Sequence, residues 1–411
     1  MPLSHIVVLN DASRAKGGAT GLAMLSALEL RARGFRVTYV CGDEGDAPEL
    51  TGEGIHVIAA GSGRLLDRGR ADAMRKGIYN ARMRDFAEEV VRRTDSAGTV
   101  YHLHGWAQIF SPAIFAGLER VAPRTFVHAH DMFLACPNGV YMDYRRNERC
   151  TRVPLSASCI LTNCDKRSYA QKLWRLARQK ALFSTFDPGA GWAGILAIHP
   201  GMLPGLVRAG YPESLLHVLR NPASAFTATR VPVECNRGFV YVGRLERDKG
   251  VLDLARSAQR VGAELVCVGD GVLRQQMARE FPEVRVTGWL AKAEMGRWIA
   301  QARALVMPSY HPEPFALVLP EAIGSGVPVA VADTALMAPE IEAAGLGLRF
   351  DVFDPAAIDA ALRRFLDMQP ATIEQMSRRC HEGDVRLALQ PREWIDQLVR
   401  KYETAIAATA M

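Results

Sequence analysis

FVYVGRLERDKGVLDLARSAQRVGAELVCVG, residues 239–269, decides the fold. A short Val-rich run, FVYVGRL, gives way to a charged loop. VLDLARSAQRVG follows with helical spacing of its apolar residues, and AELVCVG is a second apolar run. Two buried strands joined by a helix make the βαβ unit of a parallel sheet. Downstream, VRVTGWL, RALVMP and VPVAVAD read as further strands. The same grammar has already run once nearer the start, where IVVLN (6–10) reads as strand and AKGGATG as a Gly-rich turn. LAMLSALELRARG then reads as a helix ending at Gly34, and FRVTYVCG as the next strand. The expectation is an α/β chain of two doubly wound Rossmann-like domains facing across a cleft. Ligands of such sheets bind beyond the carboxyl ends of the strands.

Length agrees, since 411 residues is too many for one ordinary core at roughly 100–200 residues per domain. RNPASAFTATRVPVECNRG (220–238) lacks helical period and reads as the linker. The expected domains are therefore 1–225, with a Cys-containing basic insert at 136–180, and 226–390. A last helix, 391–411, carries an apolar stripe of Trp394, Ile395, Leu398, Val399, Tyr402 and Ile406. It either packs on the second domain or crosses back to the first.

A hydrophobic content of 49% with 23% charged residues excludes general disorder. MPLSHIVVLNDASRAKGG has no basic n-region and only a short apolar run, so it reads as a first strand rather than a secretory signal. The longest apolar stretch, around 314–332, is interrupted by Pro320, Glu321, Gly324, Gly326 and Pro328, which argues against a spanning helix. A cytoplasmic protein is expected, with its eight cysteines mostly reduced.

Candidate chemistry begins in VGRLERDKG (242–250), where Gly243 allows close approach to a ligand and Arg244 and Lys249 offer fixed positive charge. Such charge suits a diphosphate leaving group. HPEPFALVLPEAIGSGVPVA (311–330) holds two acids, Glu313 and Glu321, eight residues apart. Pro312 and Pro314 keep Glu313 on a loop. A helix beginning near Phe315 or Ala316 would leave the amides of Phe315, Ala316, Leu317 and Val318 ready for an anion. Glu321 would lie about two turns on, where a carboxylate suits sugar hydroxyls rather than phosphate. Taken singly, each acid is equally a locally satisfied carboxylate, and Arg244 and Lys249 equally solvated surface.

GRLERDKG, VGDG (268–271), VTGWL (286–290) and EPFALVLPEAIGSGVPV together resemble the consecutive signatures of retaining family 4 glycosyltransferases of the GT-B fold, E-x7-E element included. The resemblance implies that Arg244 and Lys249 hold the donor diphosphate, that Glu321 binds the ribose and that Glu313 lies by the transferred sugar. It places the base near Trp289 and Leu290. In the first domain, Gly17 and Gly18 resemble the Gly-Gly loop over the donor phosphate. HAHDMFLACPNG (128–139) resembles the His-Asp element, with His130 near the transferred sugar and Asp131 beside it. YHLHGW (101–106) takes the place of the His-x-His-Gly strand end, with His104 toward the acceptor. Departures are Ala316 where Gly is common, Pro320 in the first helical turns, and TALMAPE (334–340) without the usual Gly-Gly. The implied reaction is transfer of a hexose from a UDP- or GDP-sugar to a saccharide or lipid-linked saccharide. Anomeric configuration is retained and no cofactor is required. No D-x-D occurs, so cations and amides must replace a metal-diphosphate device.

The insert is less generic. Cys136, Cys150, Cys159 and Cys164 lack the paired C-x2-C spacing of zinc ribbons, so they read as structural or free thiols, with a metal site as the alternative. Between Arg145 and Lys180, ten Lys/Arg face two acids. Residues 166–180 add Tyr169, Leu173, Trp174 and Leu176, a composition suited to an anionic membrane at the inner face or to simple packing of one helix side. An NAD-dependent oxidoreductase is the enzyme rival, but the first turn reads G-G-x-x-G rather than G-x-G-x-x-G. A nucleic-acid-binding protein leaves both glutamates unexplained and shows no recognisable module, so no nucleic-acid partner is expected.

Overall fold

The computed structural model describes residues 2–15, 17–67, 69–383 and 385–409. The chain divides into two compact units. One takes the chain up to Arg220 and again from Arg392 onward, and the other is Asn221–Pro391.

In the first unit the strands are β1 (His5–Asn10), β2 (Arg36–Cys41), β3 (His56–Ala59), β4 (Thr99–Leu103) and β5 (Thr125–Ala129). A two-stranded hairpin follows, β6 (Met142–Asp143) and β7 (Glu148–Arg149), and then β8 (Gly194–Ala197) and β9 (Leu216–Val218). Seven of them form one parallel sheet in the order β3-β2-β1-β4-β5-β8-β9. Every residue of β1, β4 and β5 is buried, as expected of strands covered on both faces. The order reverses between β1 and β4, which opens a crevice at their carboxyl ends.

Register there is tight. Leu9 pairs with Leu103, and the His104 amide donates to the Leu9 carbonyl at 2.8 Å. Leu103 in turn pairs with Val127, which sets His104 beside His128. Because side chains alternate along a strand, His102, His104, His128 and His130 all fall on one face.

The C-terminal helix Pro391–Thr409 buries Trp394, Ile395, Leu398, Tyr402 and Ile406. It packs on the first unit's sheet, with the Tyr402 ring 5.6 Å from Phe126 and 5.7 Å from His102. Arg33 adds an ion pair to Asp396 at 2.6 Å.

In the second unit β10 (Gly238–Val242), β11 (Leu265–Val268), β12 (Arg285–Gly288), β13 (Ala302–Met307), β14 (Val329–Ala332) and β15 (Gly347–Phe350) form a parallel sheet. Their order is β12-β11-β10-β13-β14-β15. The switch point lies between β10 and β13. Helix Val251–Val261 buries Val251, Leu252, Leu254, Ala255 and Ala258 against the sheet and stops at Gly262, whose φ is +67°. Arg303, the second residue of β13, is buried and donates to the carbonyls of Phe365 (2.6 Å), Met368 (2.8 Å) and Asn236 (3.1 Å).

The stretch read from sequence as a linker is not a bare tether. Its amides at Phe226 and Thr227 donate to the Ser325 hydroxyl (2.8 and 3.2 Å), and Ala223 donates to the Leu389 carbonyl. These bonds hold it to the second unit. Its lack of helical period reflects an extended packed segment rather than solvation.

Candidate active site

The second unit concentrates charge at the carboxyl ends of β10 and β13. Gly250 has φ +69°, and a Cβ there would lie 1.9 Å from the Pro308 carbonyl oxygen; a Cβ on Gly269 would lie 1.9 Å from that of Gly243. The loops after β10, β11 and β13 therefore meet backbone to backbone, which only glycine permits. Within this frame Lys249 forms an ion pair with Glu313. Both side chains are mostly buried, 16% and 19% exposed. Ser309 Oγ donates to Glu313 Oε1 at 3.4 Å, and the Glu313 carbonyl accepts from Leu336 at 3.0 Å.

Arg244 is exposed and pairs with Glu246 at 2.6 Å. Glu321 pairs with Lys292, which also donates to the Ser224 carbonyl at 2.9 Å. Burial raises the Glu321 pKa, and Lys292 opposes that shift. Trp289 stands 72% exposed after β12, with Leu290 half-buried beside it.

Helix Val318–Gly324 starts later than the sequence suggests. Phe315 and Ala316 are buried ahead of it, and a tighter turn, Leu319 to the Ala316 carbonyl at 3.0 Å, leads in from the Pro-restricted loop. Leu317 serves as its N-cap residue, and Glu321 falls in its first turn.

In the first unit Gly17 precedes helix Gly18–Ala32 in extended conformation, with nothing within 4 Å of where a Cβ would lie. Among the described residues no contact demands glycine at Gly17. His130 and Asp131 follow β5 and are half-buried. Burial lowers the His130 pKa to about 3 and raises that of Asp131 to about 6. Asp131 accepts the Phe133 amide at 2.8 Å. His104 Nδ1 lies 3.0 Å from His130 Nε2.

Sequence reasoning passed over several neighbours of these residues. Asp11, just past β1, accepts the amides of Gln108 (2.6 Å), Ile109 and Phe110 (both 2.9 Å) and so fixes the loop after β4. Arg178 packs over Trp106 at 5.2 Å and donates to the Ala107 carbonyl at 2.7 Å. Burial lowers its pKa to about 10, against the pull of Asp11. His102 and His128 carried a readable signal, the H-x-H repeats HLH and HAH at two strand ends. Lys292 carried none.

The cysteines gather around a lysine. Cys136, Cys159 and Cys164 are buried, and Lys172 Nζ donates to the sulfurs of Cys164 (3.1 Å) and Cys159 (3.5 Å). Their sulfurs do not converge as a ligand set; among the described residues the converging set is His102, His104 and His128. The basic segment is also partly consumed within the unit. Arg152 pairs with Asp143, Arg175 with Asp165, and Lys172 and Arg178 turn inward. Leu161 (77%), Val153 (53%) and Leu173 (46%) stay exposed, as do Lys166 and Arg167. Among the described residues no helix is long and apolar enough to cross a membrane.

Residues 236–368 match the family described as Glycosyl transferases group 1. Over 190 residues the chain is 30% identical to a glycogen synthase of Mycobacterium tuberculosis, covering 44% of each chain, so it matches under half the length of that curated relative. Solved structures extend the likeness to nearly the whole chain. Sucrose-phosphate synthase from Thermosynechococcus elongatus aligns with a TM-score of 0.70 at 16% identity, over 98% of this chain and 100% of that one. Anabaena HepE, solved in complex with UDP, aligns with a TM-score of 0.65 at 16% identity, again over 98% and 100%.

The fold is GT-B. In a GT-B chain each Rossmann-like unit brings its own switch point, and here each switch point carries its own set of ionisable groups. The second unit's set is three ion pairs, Lys249–Glu313, Lys292–Glu321 and the exposed Arg244–Glu246; the first unit's is a histidine stack with the buried Asp11 and the half-buried Asp131.

Proposed function

We propose that the protein is a retaining glycosyltransferase of family 4. It would move a hexose from a nucleoside-diphosphate sugar to a saccharide or lipid-linked saccharide in polysaccharide synthesis. The observation that carries the reading is the Lys249–Glu313 pair, held by backbone contact at the β10/β13 switch point. Phosphate is the natural competitor for the Lys249 ammonium. Donor binding hands Lys249 to the diphosphate and frees Glu313 for a hydroxyl of the transferred sugar. Arg244, exposed and paired with its neighbour Glu246, closes on the same diphosphate as negative charge grows there. Glu321 takes the ribose hydroxyls, and the base lies by Trp289 and Leu290. Gly17 and Gly18 are assigned to donor binding on their resemblance to the family's Gly-Gly loop.

His130 is neutral at physiological pH and serves as hydrogen-bonding partner to the sugar and acceptor rather than as a cation, with His104 and Asp131 on the acceptor side. The acceptor hydroxyl attacks the face the diphosphate leaves, through an oxocarbenium-like state. UDP bound to the structural neighbour HepE supports a nucleotide donor, and the exposure of Leu161, Val153 and Leu173 within a segment rich in lysine and arginine supports a peripheral membrane site at the cytoplasmic face. No cofactor enters this scheme.

Titration calorimetry with UDP, GDP, ADP and NAD tests the reading. Micromolar binding of UDP or GDP is expected and names the donor; binding of NAD alone, or of none, would refute it.

A further inference from the structure

Buried imidazoles must find partners or stay neutral, and the first unit buries an unusual number together. His102, His104 and His128 are 0%, 3% and 2% exposed. They stack on one sheet face with ring centroids 4.1 to 5.2 Å apart. Internal hydrogen bonds use some of their nitrogens. His102 Nδ1 meets the Tyr402 hydroxyl at 2.6 Å, His104 Nδ1 meets His130 Nε2, and His128 Nδ1 meets His102 Nε2 at 3.2 Å. The Nε2 atoms of His104 and His128 are buried with no partner among the described residues. Two buried ring nitrogens without a partner in one cluster are costly whichever tautomer each ring adopts, and a purely structural network would not leave them so.

We propose that His102, His104 and His128 form a binding site for a divalent transition ion of the zinc, iron(II) or cobalt type. One ring nitrogen from each already lies within 4.8 Å of the others. Imidazole binds zinc at about 2.0–2.1 Å, which puts tetrahedral ligand atoms about 3.4 Å apart, so a small inward turn of the rings completes the site. Burial holds all three rings neutral, the protonation state a metal requires. Ligation of His102 through Nε2 gives up its contact with His128 Nδ1 in exchange for a bond to the ion.

The outer contacts suit a ligand set. Tyr402, from the returning C-terminal helix, holds His102 by Nδ1 and presents its Nε2 inward. A metal on His104 Nε2 leaves the proton on Nδ1, which then donates to His130 Nε2. The ion thereby sets the tautomer of His130, whose own proton sits on Nδ1. It acts as a positioning element beneath the proposed acceptor side and takes no part in the transfer itself.

Cobalt(II) titration of the full-length, chelator-stripped protein tests this site. The expected result is one equivalent bound at micromolar affinity or tighter, with a visible ligand-field spectrum and no near-ultraviolet sulfur-to-cobalt charge-transfer band. Cys164→Ser should leave that spectrum unchanged, and His104→Asn, close to isosteric, should abolish it. Absence of any cobalt signal in the wild-type protein, or a signal only with the sulfur band, would overturn the site and point to the cysteines or to no metal. The wild-type spectrum decides even if a histidine variant fails to fold, and it is independent of nucleotide binding.

Discussion

At Lys249 and Glu313 a single ion pair carries two proposed roles that mutation separates. Lys249→Ala removes one charge-assisted contact to the diphosphate, and nucleoside-diphosphate affinity should fall about 10- to 100-fold by calorimetry. Glu313→Gln leaves the ammonium without its competitor, so nucleotide binding should hold or tighten while turnover collapses in a transfer assay. Parallel loss of binding in both variants would contradict the division of roles. Asp131 offers a different residue-scale test. Burial lifts its pKa to about 6, so the folded protein carries an unfavourable buried charge above that pH and sheds it below. Asp131→Asn should therefore stabilise by roughly 1–3 kcal/mol at pH 7.5, and by much less at pH 5, in chemical denaturation. The partners in these pairs were unequally legible. Glu313 and Lys249 lie in turns flagged by Gly and Pro, whereas Lys292 reaches Glu321 from the start of a separate helix, Lys292–Ile299, and no local spacing rule announces a contact between two helices distant in sequence.

At the scale of elements, β4 and β5 each end in a His-x-His, and burial depresses all four histidines. Each is neutral when folded but accepts a proton near pH 6.5 when unfolded. The unfolded chain therefore binds more protons below that pH, and stability falls as pH falls. With four such groups the slope approaches about 5 kcal/mol per pH unit in the acid range. Thermal melts from pH 7.5 to 5 should show a steep fall in Tm, and a flat profile would mean that the histidines are solvated. Within β13, Arg303 answers three carbonyls at once. Arg303→Met fills the volume but orphans those oxygens, and should cost on the order of 3 kcal/mol in urea unfolding. The strands themselves were readable because their apolar runs are continuous. The helix after Pro314 was placed too early because burial of Phe315 and Ala316, a tertiary demand, overrides the local tendency to begin a turn there.

For the whole molecule, the first unit is assembled from two distant stretches of chain. Its sheet is completed only when Trp394, Ile395, Leu398, Tyr402 and Ile406 cover it, so ending the chain at Pro391 should leave the first unit molten or aggregated by circular dichroism and dye binding. The second unit is one continuous segment, and 221–391 expressed alone should fold cooperatively and still bind nucleotide weakly. Alternating strands and helices, the Gly-marked turns and the loop carboxylates are local patterns of hydrophobicity and backbone freedom, and the sequence by itself determined them. It also determined, through that alternation, two parallel sheets. Only the tertiary structure decided which charges pair, that Lys172 lies among the cysteines, and that Tyr402 reaches His102 across 300 residues of chain. Those outcomes depend on which surfaces are left to bury once the sheets have formed, and burial is a property of the packed molecule rather than of any segment.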